Sequence, residues 1–388
     1  MEDLVIDPSF WEGRRVFLTG HTGFKGSWAA LMLRVLGAEV FGFALEPDDD
    51  RSLFVTAGVQ QDLHHRVGNI INLDEVHEAM TFAAPSIVLH FAAQSLVRRS
   101  YEEPVLTYQT NVIGTANVLE AARHQKGIEA VLVVTSDKCY ENVGSLWGYR
   151  EIDRLGGHDP YSNSKACTEL VTDSFRRSYF HRSNATQIAS ARAGNVIGGG
   201  DWARDRLIPD AVQAFIAGRP LFIRNPEAVR PWQHVIDPLL GYFLLAERLT
   251  SKPDAYADGW NFGPDATSEV PVRLIADALT SLWGGSASWQ SDDVDHPHEA
   301  AHLKLDCTKA TARLGWGPLI DLDQALRLTI EWYRGFAAGA DLRAVAISQI
   351  DAAFQTRVAP TGSAWQRTPR RGALVQGAAF SDTTPAKS

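Results

Sequence analysis

Along the first two hundred residues, short apolar runs alternate with longer segments of helical period. RVFLTG (Arg15 to Gly20) reads as a buried strand, after an amphipathic lead containing Phe10 and Trp11. It runs into GHTGFKG and then SWAALMLRVLG, an apolar helix that Gly37 can close. EVFGFAL is the next strand, followed by HRVGNIINL, a helix-like stretch from Asp74 to Ala83, and the strand SIVLHFAAQS. Helical periodicity from Val105 to His124 precedes the apolar run Ala130 to Val134. DPYSNSK then opens a helix reaching about His181, and QIASARAGNVIGGGDW starts as a strand and ends in a glycine-rich turn. Such alternation predicts an α/β fold with a Rossmann-type doubly wound parallel sheet over residues 10–200.

Beyond Asp201 the pattern changes to short helices and loops dense in Arg, Trp and Pro. DWARDRLIPD, IRNPEAVRPWQHV, WNFGPD and DHPHEAAHLKLD predict a smaller mixed α/β substrate-binding lobe over 201–340. It is interleaved with sheet elements near Val235 to Asp237 and Trp260 to Gly263. Residues 358–388, rich in Ala, Pro, Thr, Ser and Gly, read as a disordered tail. No internal repeat is evident.

Composition changes this picture little. The 388 residues suffice for one large or two ordinary domains, with 45% hydrophobic and 21% charged residues. A net charge of -9 argues against a nucleic-acid partner. Cys139, Cys167 and Cys307 are far apart, with neither a disulfide framework nor zinc spacing. His296, His298 and Glu299 are close together but offer no closed ligand set, so no metal is expected. With no run of transmembrane length and no basic-then-apolar leader, a cytoplasmic protein without membrane partners is expected.

The strand–glycine turn–helix–strand unit is the context in which backbone amides cradle a dinucleotide pyrophosphate. The spacing is GxxGxxG, with Gly20, Gly23 and Gly26. Glu46 follows the second strand and either binds a ribose diol or is a solvated loop residue. No arginine stands at that strand end (Arg51 is the nearest), which favours NAD over NADP. Asn69 and Ile70 leave one strand end where adenine can be bound, and Phe91, Ala92 and Ala93 leave the next.

The densest chemistry lies from Thr135 to Lys165. TSDKCY follows an apolar strand and delivers a hydroxyl (Ser136), a carboxylate (Asp137) and an amine (Lys138) together. Tyr161 and Lys165, four residues apart, share one helix face, where an ammonium would lower the phenol's pKa. Arg192, Arg206, Arg224 and Arg230 are candidates for a diphosphate clamp, about half of them expected at the surface.

GHTGFKGSW, HFAAQSLVRRSY, TSDKCYEN, DPYSNSK, RAGNVIGGGDWARDRLIPD, RPWQHV, WNFGP and HPHEA-x-x-LKLD closely resemble the CDP-glucose 4,6-dehydratase family. That family lies within the extended short-chain dehydrogenase/reductase superfamily, and the likeness runs from about Phe10 to about Trp332. It implies that NAD oxidises the sugar at C4, water leaves across C5–C6, and hydride returns to C6. The product would be CDP-4-keto-6-deoxyglucose. By that resemblance Tyr161 removes the C4 hydroxyl proton, Lys165 holds phenolate and nicotinamide ribose, and Ser136 bonds the C4 oxygen. Asp137 protonates the leaving hydroxyl, for which its pKa should be raised, and Lys138 takes the C5 proton. Cofactor contacts are implied at Gly20, Thr22, Gly23, Phe24, Lys25, Gly26, Asn69, Ile70, Phe91, Ala92 and Ala93, with Tyr161 and Lys165. Substrate contacts are implied at Asn195, Arg206, Leu207, Arg230, Trp232 and His298. The superfamily's habit of pairing two long helices suggests a homodimer or homotetramer. An epimerase or simple dehydrogenase of the same superfamily is the alternative, and would need no Asp137–Lys138 pair. A non-catalytic NAD-sensing regulator commonly lacks YxxxK, which is present here.

Overall fold

The computed structural model describes residues 6–180, 186–291 and 303–357. Its strands, in chain order, are β1 (Arg15–Thr19), β2 (Glu39–Ala44), β3 (His64–Val67), β4 (Ile87–His90), β5 (Ala130–Val134), β6 (Gln187–Ala193), β7 (Asn195–Ile197), β8 (Leu221–Ile223), β9 (Val229–His234), β10 (Gly259–Phe262), β11 (Glu269–Pro271) and β12 (Trp289–Ser291). Seven form one sheet in the order β10-β6-β5-β4-β1-β2-β3, and every pairing in it is parallel.

Parallel strands covered by helices on both faces need apolar residues without alternation, and Ala130–Val134 is buried at every position. Successive residues still serve opposite faces. Val16 and Leu18 join one core with Trp28 and the Ile236–Ser251 helix. Phe17 joins the other, with Phe43, Met80 and Leu119. Strand order reverses between β4 and β1, so the crevice at their carboxyl ends is where such a sheet takes a ligand.

The Pro160–Tyr179 helix starts where its sequence dictates. Asp159 caps it by accepting from Ser162 N at 2.9 Å, and Pro160 fills the first-turn position that needs no donor. The periodic segment from Val105 to His124 is not one helix. Gln109–Ile113 forms a single wide turn between the Pro104–Tyr108 and Gly114–His124 helices. Asn111, buried in that turn, accepts from Gln94 N at 2.8 Å and donates to Ser164 Oγ at 2.8 Å. It thereby ties the Pro160–Tyr179 helix to the loop after β4.

β7, β9 and β11 form a second, three-stranded sheet, and β8 pairs with β12. Val235 to Asp237 is not a strand. β9 ends at His234 and Ile236 begins a helix, whose Asp237 carboxylate receives the amides of Leu319 at 2.9 Å and Ile320 at 3.3 Å. β10 joins the edge of the main sheet beside β6. The tail from residue 358 and His181 lie outside the described residues.

Candidate active site

Strand β5 ends at Val134, and the chain stays extended through Ser136 before a tight turn at Asp137–Cys139. The Ser136 hydroxyl shapes that turn: it accepts from Lys138 N at 3.2 Å and donates to Asp137 Oδ1 at 2.9 Å. Lys138 Nζ reaches the same carboxylate oxygen at 3.3 Å. Asp137 is buried, whereas the Lys138 side chain is 31% exposed. Gly194, between β6 and β7, makes room: a Cβ there would stand 3.0 Å from Asp137 Oδ2.

Tyr161 and Lys165 face this turn from the helix, both buried. The Tyr161 phenol is hydrogen-bonded to the Ser136 side chain, and Lys165 Nζ donates to Val134 O at 3.3 Å. The lysine does not lower the phenol here. Burial pushes Tyr161 up to about 12, with the Ser136 hydrogen bond opposing it. Lys165 is itself pushed down to about 8 by burial, against the pull of Glu169. Spacing alone reveals a neighbouring cation but neither the carbonyl that engages it nor the dehydration both groups undergo.

Lys25 shares this environment, which the glycine motif alone does not reveal. Burial, with Arg206 and Lys165 nearby, pushes its amine down to about 7, and Asp137 opposes that. Its Nζ lies 5.9 Å from the centroid of the buried Tyr242 ring. Lys25, Lys138, Lys165 and Arg206 thus form one cluster of cations, with the Asp137 carboxylate near Lys25 and Lys138. No motif marks this, because the four come from three separate stretches of sequence.

The glycine turn forms a close-fitting cradle. Gly20 has φ +75°, and a Cβ there would lie 2.7 Å from Ala92 N, so the turn presses against the end of β4. A Cβ on Gly26 would be 2.1 Å from Gly20 O. His21 occupies the position where tighter motifs carry glycine, and its ring fits only because Gly42 lacks a Cβ, which would sit 2.5 Å from His21 Cγ. Gly23 caps the Phe24–Val35 helix without a side-chain acceptor, leaving first-turn amides for an anion. Thr22 Oγ1 donates to Leu45 O at 2.9 Å, and Phe91 N and Ala92 N bond Thr19 Oγ1 at 3.1 and 3.2 Å. Ala93 follows them, half-buried. Asn69 Oδ1 accepts from Ile71 N at 3.0 Å, and Ile70 O receives Asn117 Nδ2 at 2.9 Å. Glu46 is exposed, and Arg51 is held by Asp49 at 2.6 Å while stacking on Trp202. These residues fit a dinucleotide, and Arg51, the arginine nearest the end of the second strand, is engaged by Asp49.

Across the crevice, Arg206 Nη1 bonds Asp201 Oδ2 at 2.7 Å and Nη2 bonds Ser95 Oγ at 3.1 Å, immediately before Leu207 opens a helix. Asn195 pairs in register with Trp232, a buried tryptophan. Arg230 Nη1 donates to Val229 O at 3.0 Å, and Arg224 approaches Asp205 at 3.6 Å. Arg192 is not part of a diphosphate clamp. Only 4% exposed, it is spent inside the protein on Glu169 at 2.8 Å and Tyr140 OH at 2.6 Å. His298, with His296 and Glu299, lies outside the described residues. Among the described residues no three His, Cys, Asp or Glu side chains are grouped to hold a metal, and no helix is long and apolar enough to cross a membrane.

A sequence-family model for GDP-mannose 4,6-dehydratase matches residues 17–329. The chain is 48% identical over 342 residues to the CDP-glucose 4,6-dehydratase of Salmonella typhimurium, covering 87% of this chain and 95% of that one. It is 31% identical to the dTDP-glucose 4,6-dehydratase of Streptomyces antibioticus, over 64% of this chain and 70% of the relative. Among solved structures, the dTDP-glucose 4,6-dehydratase DesIV of Streptomyces venezuelae, with NAD bound, superposes with a TM-score of 0.70 at 25% identity. That match covers 85% of this chain and 99% of DesIV. A UDP-glucose 4-epimerase from Thermotoga maritima shares the fold, with a TM-score of 0.69 at 22% identity over 83% of this chain and 99% of the epimerase.

Proposed function

We infer that the chain, which belongs to the GDP-mannose 4,6-dehydratase family and is 48% identical to a CDP-glucose 4,6-dehydratase, is an NAD-dependent hydro-lyase that converts CDP-glucose to CDP-4-keto-6-deoxyglucose and water. The observation that carries the reading is the meeting of two sets of groups at one strand end. Ser136 and Tyr161 suit oxidation of an alcohol, and the Asp137–Lys138 pair beside them suits elimination.

Bound NAD supplies reversible hydride transfer, from sugar C4 and back to C6, so that the net change is redox-neutral. The rest falls to the chain's own groups. Tyr161 takes the C4 hydroxyl proton, Ser136 donates to the C4 oxygen, and Lys165, anchored on Val134 O, is placed to hold the nicotinamide ribose. The C4 ketone acidifies C5–H, because the resulting carbanion delocalises into the carbonyl. Lys138 takes that proton, and Asp137 gives one to the C6 hydroxyl, which leaves as water. Lys138 Nζ lies 3.3 Å from Asp137 Oδ1, so a proton passed from the ammonium to the carboxylate leaves a neutral amine for C5–H and a carboxylic acid for the departing hydroxyl. The first-turn amides after Gly23 and the Gly20–Ala92 contact are the cradle proposed for the dinucleotide, and Arg206 with Arg230 are proposed to meet the sugar diphosphate.

A cytoplasmic homodimer or homotetramer completes the proposal. Val105 (68% exposed), Ile113 (50%) and Leu170 (58%) stand out on neighbouring helices as an apolar face for a second copy. Incubation with NAD and CDP-, dTDP-, GDP- or UDP-glucose tests the assignment by mass spectrometry. Loss of one water from CDP-glucose is expected. A C4 epimer or net accumulation of reduced cofactor instead would favour the epimerase or dehydrogenase reading.

A further inference from the structure

Three successive turns of one helix hold three successive residues of the β5 end. Lys165 Nζ takes Val134 O at 3.3 Å, and the Glu169 carboxylate receives the Thr135 hydroxyl. Tyr161 is hydrogen-bonded to Ser136. The first and third of these contacts belong to the oxidation chemistry already described, whereas the second has no role in it.

Glu169 is only 3% exposed and fully engaged. One carboxylate oxygen faces Thr135, and the other accepts from Ser190 Oγ at 2.6 Å and Arg192 Nη2 at 2.8 Å. The other arm of the guanidinium, Arg192 Nη1, donates to Tyr140 OH at 2.6 Å, and Tyr140 OH donates on to Asn261 Oδ1 at 2.8 Å on β10. Thr135 immediately precedes Ser136-Asp137-Lys138, and Tyr140 follows that segment after Cys139. A bridge from Thr135 through Glu169 and Arg192 to Tyr140 therefore closes both ends of the reactive turn.

Resting on the dehydratase reading above, we propose that Glu169 and Arg192 are positioning residues that hold the Ser136–Lys138 turn against the Tyr161–Lys165 helix face, so that elimination can follow oxidation in a single site. A surface pair would contribute little, but this one is buried and bonded at every oxygen, so removing one partner leaves an uncompensated charge in the core. Burial pushes the Glu169 carboxyl up, but Arg192 and the hydroxyl donors outweigh it and hold the group below its ordinary value, ionised. Its charge also acts on Lys165, whose amine it pulls back up against burial. The other titratable groups facing that amine are Cys139 on the turn, Lys25 after the glycine loop and His90 at the end of β4.

The test uses Glu169→Gln/Arg192→Gln, a neutral pair that avoids an orphaned guanidinium, and Thr135→Val, which cuts only the link to the strand. On mixing with CDP-glucose, reduced-nicotinamide absorbance reports C4 oxidation, and mass spectrometry reports water loss. For both variants the ratio of product formed to C4 oxidised should fall by about tenfold or more, the scale expected of a displaced catalytic turn. In the double variant the pH at which the oxidation step is lost on the alkaline side should also move down, because Lys165 loses its carboxylate neighbour. A purely structural role would lower the melting temperature and leave partition and pH profile unchanged. That result in either folded variant overturns the proposal. If the double variant does not fold, Thr135→Val decides alone. If the parent enzyme itself fails to dehydrate CDP-glucose, the functional assignment is at fault rather than the bridge.

Discussion

Replacing Lys138 by alanine separates the two halves of the proposed chemistry. The Lys138 side chain is 31% exposed, but its 3.3 Å contact is with the buried Asp137 carboxylate, so its loss should cost about 1–3 kcal/mol of stability. Ser136 keeps its contact with the Lys138 backbone amide, and neither Tyr161 nor Lys165 bonds the Lys138 amine. Oxidation at C4 should therefore survive. A general base typically contributes about 10²–10⁴-fold, so elimination should slow by that factor, or roughly 3–5 kcal/mol in the barrier. Rapid mixing with CDP-glucose should show reduced nicotinamide forming and persisting while dehydrated product and solvent-deuterium incorporation at C5 fall together. Product at the parent rate would remove Lys138 from the role of base. Loss of the absorbance change as well would place the lysine in the first step instead.

Gly26→Ala should weaken NAD binding by at least about tenfold in a fluorescence titration and cost about 1–3 kcal/mol in denaturant unfolding, since its Cβ would meet Gly20 O at 2.1 Å, backbone against backbone. Parent-like affinity would remove the glycine turn from the cofactor site. Glu247, buried against Trp11 Nε1 at 2.7 Å, is pushed by burial from 4.5 up to about 8. A raised carboxyl stabilises the folded state below the unfolded pKa and loses that contribution as pH rises through the folded one. Glu247→Gln should therefore match the parent near pH 4.5 and exceed it by up to a few kcal/mol near pH 8, read as a difference in melting temperature that grows with pH; a constant difference would refute it. Lys25, pushed down to about 7, should gain a proton when the anionic dinucleotide arrives, so calorimetry at pH 8 in buffers of differing ionisation enthalpy should report proton uptake that Lys25→Met abolishes. Equal uptake in both proteins would refute that coupling.

What was legible in the sequence follows from what local pattern can encode. β5 is apolar at five consecutive positions because both faces are covered, and the glycine turn is readable because only a missing Cβ lets Gly26 meet Gly20. Asp159–Pro160 announces the start of the helix for the same local reason. The failures all involve partners distant in the chain. Arg192 lies near the end of β6 and resembles a phosphate ligand until Glu169, on a different element, is seen to neutralise it. The segment from Val105 to His124 keeps helical periodicity through the wide turn at Asn111, because the extra residue is absorbed by hydrogen bonds to Gln94 and Ser164 that periodicity does not register. Val235 to Asp237 is apolar enough for a strand, but the amides of Leu319 and Ile320 call for a carboxylate at a helix start.

The same distinction governs charge. A net charge of -9 is an average over the chain and says nothing of the crevice, where Lys25, Lys138, Lys165 and Arg206 cluster. Burial is what pushes Lys25 down to about 7 and Lys165 down to about 8, and at Lys25 the charges of Arg206, Lys165 and Lys138 add to it. The arrangement is costly for the folded chain alone and favourable once phosphates enter, so electrostatic strain in the resting enzyme and affinity for an anionic nucleotide are one property. It also separates two lysines by environment. Lys165 is enclosed and beside Glu169, whereas Lys138 is 31% exposed and paired with Asp137. An oxidation that needs a fixed cation and an elimination that needs a mobile proton can thus share one strand end.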